Sequence, residues 1–240
     1  MAIWAIVPAA GVGHRMGSAI PKQYLPLLGK TVIERTLERI QRVPGLQRIL
    51  VVVHPADQRF TELKFDSNVE IETVPGGDER CHSVSNALAA LQAGVKDDDW
   101  VLVHDAARPC VRVEDITNLI GTLHAHPVGG LLAKPVADTL KKTDGNNAVI
   151  DTLDRSQFWH ALTPQIFRFG VLQQALAKAM TDGELVTDDS VTVERMGLLP
   201  LVVPGKADNI KITHKVDLFL AERIIQQQAE SKSAPEEVIQ

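Results

Sequence analysis

The fold is decided near the start of the chain, by the stretch Ile3-Trp-Ala-Ile-Val-Pro-Ala-Ala-Gly-Val-Gly-His-Arg-Met16. Its apolar run ends at Pro8 and predicts a short buried strand, because such runs without strict alternation are typical of strands covered on both faces. The small residues that follow predict a tight loop. In a parallel sheet such a loop opens at the carboxyl edge, where ligands bind. The stretch therefore predicts an α/β protein with a binding site directly after its first strand.

Strands and helices alternate along the rest of the chain. The first helix is predicted to begin at Thr31, because Thr31-Val-Ile-Glu34 forms a capping box, and the last runs through Leu218, Ala221 and Ile225. This alternation predicts a Rossmann-like α/β fold with a mostly parallel sheet flanked by helices. The other predicted strands are Ile49 to Val53, Val69 to Val74, Trp100 to Val103, Leu131 to Val136 and Leu199 to Val203.

A polar segment from Ala137 to Trp159 interrupts this alternation. It is predicted to form two short strands around the turn Asp144-Gly-Asn-Asn147. Because a polar hairpin is marginally stable alone, we expect a projecting β-hairpin arm over 137–159 that contacts a second subunit of a homodimer; a plain surface hairpin is the alternative. Residues 1–230 are predicted to form one domain that includes the arm, and 231–240 a flexible tail.

The composition excludes several classes of protein. The 240 residues carry 25 Lys plus Arg against 30 Asp plus Glu, a net charge of −5, which offers no electrostatic footprint for nucleic acid. Only two cysteines, Cys81 and Cys110, occur. The first apolar run is too short for a membrane span and lacks the basic flank of a signal peptide. We therefore expect a cytoplasmic globular protein that binds neither nucleic acid nor a membrane.

The loop after the first predicted strand has the composition of a phosphate site. Gly11 and Gly13 allow backbone amides to turn toward phosphate oxygens. A dinucleotide fingerprint is disfavoured because Met16 occupies its third glycine position, and a P-loop fails because no Lys follows a Gly at the required spacing. Arg15 and Lys22 supply two cations within a few residues, as a polyphosphate requires.

Five motifs follow one another along nearly the whole chain. They are Gly11-Val-Gly-His-Arg-Met16 with Pro21-Lys-Gln23, Gly76-Gly-Asp-Glu-Arg80, Val103-His-Asp-Ala-Ala-Arg-Pro109, Trp159-His-Ala-Leu-Thr-Pro-Gln165 and Ala207-Asp-Asn-Ile-Lys211. Together they resemble the motifs of the 2-C-methyl-D-erythritol 4-phosphate cytidylyltransferases. The resemblance implies a nucleotidyltransferase fold and the use of Mg²⁺ or another divalent cation. It also implies cytidylyl transfer from CTP to methylerythritol phosphate, with release of pyrophosphate, in the non-mevalonate route to isoprenoid precursors.

The resemblance further implies roles for individual residues. It assigns catalysis to Arg15, Lys22 and Lys211. The implied CTP-binding residues are Pro8, Ala9, Ala10, Gly11, Gly77, Asp78, Ser83 and Ala106. The implied residues for methylerythritol phosphate are Asp105, Arg108, Thr139, Arg155, Thr163 and Thr187, of which Thr139 and Arg155 act from the arm in the partner's site. Asp208 is the expected metal ligand, with the CTP phosphates holding most of the ion.

The implied reaction requires no general base. A phosphate monoester has a second pKa of about 6, so the attacking group is already mostly dianionic at neutral pH. Catalysis then depends on alignment and on stabilisation of charge at the α-phosphorus. Two alternatives stay open at this point: a cytidylyltransferase for another sugar-alcohol phosphate such as ribitol 5-phosphate, and a non-catalytic nucleotide-binding protein. The second would be expected to lack one of Arg15, Lys22 or Lys211.

Overall fold

The computed structural model of the chain describes residues 2–11, 20–92, 94–183, 186 and 188–233. The strands are β1 (Ile3–Pro8), β2 (Pro26–Leu27), β3 (Lys30–Thr31), β4 (Leu46–Val53), β5 (Glu70–Pro75), β6 (Trp100–Val103), β7 (Gly129–Pro135), β8 (Leu140–Thr143), β9 (Val149–Leu153), β10 (Trp159–Arg168) and β11 (Leu201–Pro204). The helices are α1 (Val32–Ile40), α2 (Arg80–Leu91), α3 (Val113–Leu123), α4 (Phe169–Thr181), α5 (Asp189–Glu194) and α6 (Lys215–Ser233). Within these described ranges, no helix combines the length and the apolar character that crossing a bilayer requires.

Seven strands form the central sheet in the order β11-β7-β10-β6-β1-β4-β5. β1 pairs in parallel with β4 and β6, β4 with β5, and β7 with β11. β10 runs antiparallel to both of its neighbours, β6 and β7. All the other strands of this sheet therefore share one carboxyl edge, and the predicted α/β class with a mostly parallel sheet is confirmed.

Apolar side chains cover both faces of the sheet, as the unbroken apolar runs predict. Ala5 and Val7 of β1 belong to the cluster that contains the buried faces of α1 and α3. Ile6, between them, belongs to the cluster formed with α2 and α4. Helix α6 packs separately, in a cluster that includes Val32 and Ala221. Burial on both faces explains why these strands lack the alternation of half-exposed strands.

Helix α1 begins where the capping box predicts. Thr31 accepts a hydrogen bond from the amide of Glu34, and the carboxylate of Glu34 accepts one from the amide of Thr31 at 2.7 Å. From the same helix, buried Thr36 donates its hydroxyl proton to the carbonyl of Ala106 at 2.8 Å. The sheet-covering helix thus also holds a backbone group of the loop after β6.

β10, a strand in the middle of the sheet, was not predicted from the sequence. Its polar residues and Pro164 obscure the apolar run that is typical of a buried strand, and proline is rare inside a sheet because it lacks a backbone donor. The pairing of β10 with β7 shifts register between Ala161 and Gln165, around this proline. The interruption in the pairing therefore coincides with the residue that hid the strand.

The end of the chain also differs from the prediction. Helix α6 continues through Ser233, beyond the predicted boundary at residue 230. Gln228 is buried, and its side-chain amide donates to the carbonyl of Cys110 at 2.9 Å. This contact fixes a late turn of the helix to the body of the protein. The rest of the predicted tail, residues 234–240, lies outside the described residues.

Residues 137–159 contain the predicted polar hairpin. β8 and β9 pair antiparallel, and in the turn Asp144 Oδ1 accepts from the amides of Asn146 and Ala148. Val149 and Ile150 are each 59% exposed on β9. A two-stranded hairpin that exposes apolar side chains is typical of a segment that is buried against another surface. Contact with a second subunit stays a prediction.

Candidate active site

A pocket opens at the carboxyl edge of the sheet, where the loops after β1, β5 and β6 meet. Parallel sheets commonly bind ligands at this edge. The cavity has a volume of about 210 Å³. Its lining residues are Pro8, Ala9, Ala10, Gly11, Lys22, Gln23, Gly77, Asp78, Glu79, Arg80, Ser83, Asp105, Ala106, Ala107 and Lys211.

Buried Gln23 holds the backbone of the loop that follows β1. Its side-chain amide donates to the carbonyls of Ala9 at 2.7 Å and Gly11 at 3.2 Å. The amide of Ala9 in turn donates to the carbonyl of Val52 on β4 at 2.7 Å. Gln23 and Lys22 belong to the same short helical turn, so the residue that fixes the loop also places its neighbouring cation.

The turn before α2 passes so close to this loop that it requires glycine. A Cβ on Gly76 would lie 2.5 Å from the Cβ of Ala10, and one on Gly77 would lie 2.4 Å from the Cβ of His82. Buried Ser83 accepts a hydrogen bond from the amide of Gly77 at 3.2 Å. The two segments therefore contact each other at Gly76 and line a slot of main chain and small side chains beside that contact, which suits a flat ring.

Asp105 follows β6 and is surrounded by three cations. Its Oδ2 lies 2.9 Å from Lys211 Nζ and 3.3 Å from Arg108 Nε, and its Oδ1 lies 3.7 Å from Arg80 Nε. Burial by itself raises the pKa of Asp105, but Arg80, Lys211 and Arg108 together hold that pKa well below its usual range. Asp105 is therefore ionised at neutral pH.

Arg80 connects Asp105 to a second buried carboxylate. Its Nη1 lies 2.7 Å from Oδ1 of Asp189, whose side chain is 1% exposed. Burial lowers the pKa of Arg80, but the charges of Asp189 and Asp105 outweigh it and raise that pKa above its usual value. Asp189 is the first residue of α5, so Arg80 ties the start of this helix to the carboxylate in the pocket.

The segment after β11 brings Lys211 to the same place. Arg108 Nη1 donates to the carbonyl of Asn209 at 2.8 Å, and the amide of Ile212 donates to the carbonyl of Ala107 at 2.8 Å. Lys22 Nζ donates to the carbonyl of Ile212 at 3.0 Å. Three segments that are distant in sequence therefore place Lys22 and Lys211 at one pocket.

Most of the site residues predicted from the sequence come together here. Every residue predicted to bind CTP lines the pocket, as do Lys22, Lys211 and Asp105. Arg108 and Thr163 are buried behind the lining, where Thr163 Oγ1 accepts from the amide of Asp105 at 3.1 Å. Arg15 and Thr187 lie outside the described residues.

Three other predicted residues do not line this pocket. Thr139 and Arg155 are exposed on the arm, where Arg155 donates to the carbonyl of Ala137. Asp208, the expected metal ligand, instead accepts from Arg112 Nη2 at 2.6 Å and from Gln228 at 3.2 Å. Because a cation already neutralises this carboxylate away from the pocket lining, the structure gives Asp208 a structural ion pair.

The pocket fits a weakly held Mg²⁺ better than a protein-caged metal. Asp78, Glu79 and Asp105 are the carboxylates among its described lining residues. No cluster of three or more His, Cys, Asp or Glu side chains in the described part of the chain is arranged to hold a metal ion. Mg²⁺ keeps several waters and is commonly bound by one or two carboxylates together with the phosphates of a ligand. The donor set therefore suits an ion that arrives with a polyphosphate.

Several residues that shape the site had no individual role predicted from the sequence. Gln23, Arg80 and His104 all lie inside the motifs quoted above, and the motifs were the only signal for them. Gln23 acts on carbonyl groups, which no side-chain pattern encodes. The partner of Arg80 is Asp189, in a segment that the motifs do not include.

Comparison with known proteins identifies the family. The sequence profile of the 2-C-methyl-D-erythritol 4-phosphate cytidylyltransferases matches residues 3–227. The protein of that name from Hahella chejuensis is 46% identical over 230 residues, 94% of this chain and 95% of the relative. The one from Pseudomonas putida is 47% identical over 218 residues, 90% of this chain and 93% of the relative. The crystal structure of the Francisella tularensis enzyme superimposes with a TM-score of 0.79 at 36% identity, covering 93% of this chain and 100% of that chain. The chain therefore belongs to the 2-C-methyl-D-erythritol 4-phosphate cytidylyltransferase family.

Proposed function

We propose that the pocket at the carboxyl edge carries out the family's reaction, transfer of a cytidylyl group from CTP to 2-C-methyl-D-erythritol 4-phosphate. One observation carries this assignment: Lys22 and Lys211, from opposite ends of the chain, meet at a slot of small residues next to Asp105. Such a slot suits a nucleoside, and two cations beside it suit a polyphosphate. The two halves of a nucleotide thus have matching surfaces in one cavity.

The cytidine is assigned to the slot between the loop after β1 and the turn before α2. Main-chain groups of Ala9 to Gly11 and of Gly77, with the hydroxyl of Ser83, offer donors and acceptors for the edge of a pyrimidine. Asp78 and Ala106 complete this half of the lining. The support is that main chain and small side chains line this half of the pocket.

The phosphates are assigned to Lys22 and Lys211. An oxygen of the acceptor's 4-phosphate attacks the α-phosphorus of CTP, the bond to the bridging oxygen of the β-phosphate breaks, and pyrophosphate leaves. Negative charge accumulates on the α-phosphoryl oxygens and on the departing oxygen, and fixed cations lower the energy of that state. Arg15, outside the described residues, is proposed as a third cation on the evidence of its motif.

The acceptor is assigned to the end of the pocket that Asp105 occupies. The carboxylate of Asp105 can accept from substrate hydroxyls, and Arg108 and Thr163 support it from behind. We also propose that the arm crosses to a partner subunit in a homodimer, where Thr139 and Arg155 meet the acceptor phosphate. Its support is that both side chains are polar and exposed and do not line the pocket of their own chain. Thr187 is proposed to contact the acceptor as well.

Mg²⁺ is proposed as the metal, bound mainly by the triphosphate. When bound, it neutralises and orients the phosphate chain. Among the lining carboxylates, Asp105 lies 2.9 Å from Lys211 Nζ, and it can hold a water of the hydrated ion. A cytoplasmic setting is proposed as well, supported by the two buried free thiols, Cys81 and Cys110.

Pyrophosphate release tests the proposed function directly. The purified protein is incubated with Mg²⁺, one nucleoside triphosphate and one acceptor, comparing CTP with ATP, GTP and UTP, and methylerythritol 4-phosphate with ribitol 5-phosphate. We expect release only with CTP and methylerythritol phosphate. Preference for ribitol phosphate would overturn the acceptor assignment, and CTP binding without turnover by any acceptor would overturn the catalytic one.

A further inference from the structure

His104 is buried directly behind Asp105 and is not among the residues proposed to contact CTP or the acceptor. Its side chain is fully buried. Its backbone amide donates to the carbonyl of Ile6 at 2.9 Å, which places the residue at the end of β6. The ring touches two other groups: Nδ1 lies 3.0 Å from Thr163 Oγ1, and Nε2 lies 3.1 Å from the carbonyl oxygen of Arg108.

These contacts fix which ring nitrogen carries the proton. The carbonyl oxygen of Arg108 can only accept, so Nε2 must be the donor. The hydroxyl of Thr163 already accepts from the amide of Asp105 at 3.1 Å and can give its own proton to Nδ1. Burial lowers the pKa of His104 to about 4, so the neutral ring and both bonds persist at physiological pH.

The two bonds hold opposite ends of one turn. The turn runs from Asp105 to Arg108, where the amide of Arg108 donates to the carbonyl of Asp105 at 3.1 Å. His104 holds its start through Thr163 and its end through the carbonyl of Arg108. The middle of the turn is held separately, because Thr36 donates to the carbonyl of Ala106.

We propose that His104 is a positioning residue for the acceptor, which fixes the 105–108 turn and so aims the carboxylate of Asp105 and the guanidinium of Arg108. This inference rests on the proposed function, which assigns those two groups to the acceptor end. His104 does not line the pocket, so it acts through its neighbours. The CTP half depends on Gln23, Ser83 and the Thr36 bond, and none of these contacts the His104 ring in the described structure.

Steady-state kinetics of His104→Phe and His104→Gln test this role. The phenylalanine removes both hydrogen bonds, whereas the glutamine amide can still donate toward the Arg108 carbonyl. We expect the KM for methylerythritol phosphate to rise about tenfold or more in His104→Phe, with the KM for CTP within about twofold of wild type, because sub-ångström misplacement affects only the groups that move. His104→Gln should recover part of the loss. Exposed His124, replaced by Phe, is the matched control.

Each outcome decides the proposal. If kcat falls only in proportion to the folded fraction and both KM values stay unchanged, the role of His104 is purely structural. That result would contradict the proposal. Thr163→Val should add little to His104→Phe if the ring acts through that hydroxyl, whereas full additivity would contradict this path. Nitrogen NMR of the wild-type ring should show Nε2 protonated and Nδ1 unprotonated from pH 8 to 5, and the opposite tautomer would overturn the proposal even if both variants fail to fold. Lack of wild-type turnover would instead refute the proposed function.

Discussion

At the scale of single residues, the site depends on one carboxylate with an unusual environment. Asp105 is in contact with Arg80, Arg108 and Lys211, and Arg80 is balanced in turn by Asp189. A buried cation without such a partner would strongly destabilise the folded protein. The carboxylates therefore allow several cations to be concentrated at a site where an anionic substrate binds. This arrangement orients Lys211 before any phosphate arrives.

The first prediction concerns Lys22. Replacing Lys22 with Ala removes the cation that is proposed to bind phosphate, together with the hydrogen bond from its Nζ to the carbonyl of Ile212. We expect kcat to fall on the order of a hundredfold or more, with a small change in thermal stability. Turnover by pyrophosphate release and the melting temperature are measured together. Lys30→Ala is the matched control, because Lys30 pairs with Glu38 on the surface; near-normal turnover of Lys22→Ala would refute the catalytic role.

The second prediction follows from the protonation of His104. The pKa of its ring is about 4 when folded and about 6.5 when unfolded, so between these values the unfolded chain binds a proton that the folded one does not. Stability from this group is complete above pH 6.5 and is lost as the pH falls toward 4, by about 3 kcal/mol in all. Urea unfolding of wild type and His104→Gln should show free energies that converge as the pH falls through this window. Parallel pH profiles would contradict the assignment of a neutral, buried ring.

At the scale of elements, the sequence predicted best what depends on local pattern. The apolar runs located β1, β4, β5 and β6, and the Thr31 capping box located the start of α1. The sequence pattern did not reveal β10, because polar residues that serve the site replace the apolar run there. Thr163 and Gln165 face functional partners from this strand: Thr163 bonds the turn after β6, and Gln165 accepts from Ser190 at the start of α5. Function thus obscured the pattern that would have revealed the element.

Site residues could be predicted where a sequence motif contains them. They could not be predicted where the role of a residue depends on a partner that is distant in sequence. Lys22 was recognisable because, together with Arg15, it supplies cations beside a glycine-rich loop, whereas Lys211 was assigned only because its motif resembles that of the family. Asp208 was expected at the metal because its sequence neighbours suggest the pocket, whereas in the structure Arg112, just before α3, and Gln228 on α6 bind its carboxylate. Such pairings depend on how helices pack, which is not encoded in a local stretch of sequence.

The third prediction, at this scale, concerns the contact between Asp208, α3 and α6. Asp208→Asn weakens the ion pair with Arg112, whose side chain is 36% exposed, so we expect a loss of about 1 kcal/mol in unfolding free energy. The Mg²⁺ concentration that gives half-maximal turnover should not change, because this carboxylate does not line the pocket. Arg112→Gln, which breaks the same pair from the other side, should reproduce the loss. A tenfold or larger shift in the Mg²⁺ requirement would restore Asp208 as a metal ligand.

At the scale of the whole molecule, the direction of the strands determines where the pocket and the arm lie. All the strands of the central sheet except β10 end at the edge where the pocket lies, so distant loops meet there without long connections. The arm connects the last residue of β7, Pro135, to the first residue of β10, Trp159, and these two residues pair with each other at its base. The sheet therefore holds both the pocket and the base of the arm. A second copy of the chain can receive such an arm at a defined position.

The arm leads to the last prediction, that each active site combines two subunits. Subunits carrying Arg155→Ala keep an intact pocket, and subunits carrying Lys22→Ala keep an intact arm. Each variant alone should be nearly inactive, whereas a statistical mixture forms mixed dimers with one complete site and should regain about a quarter of wild-type turnover. The control replaces the Arg155→Ala subunit with one that carries both substitutions, and it should regain nothing. Mixed dimers that form, as shown by mass spectrometry, but stay inactive would mean that each site is built from a single chain.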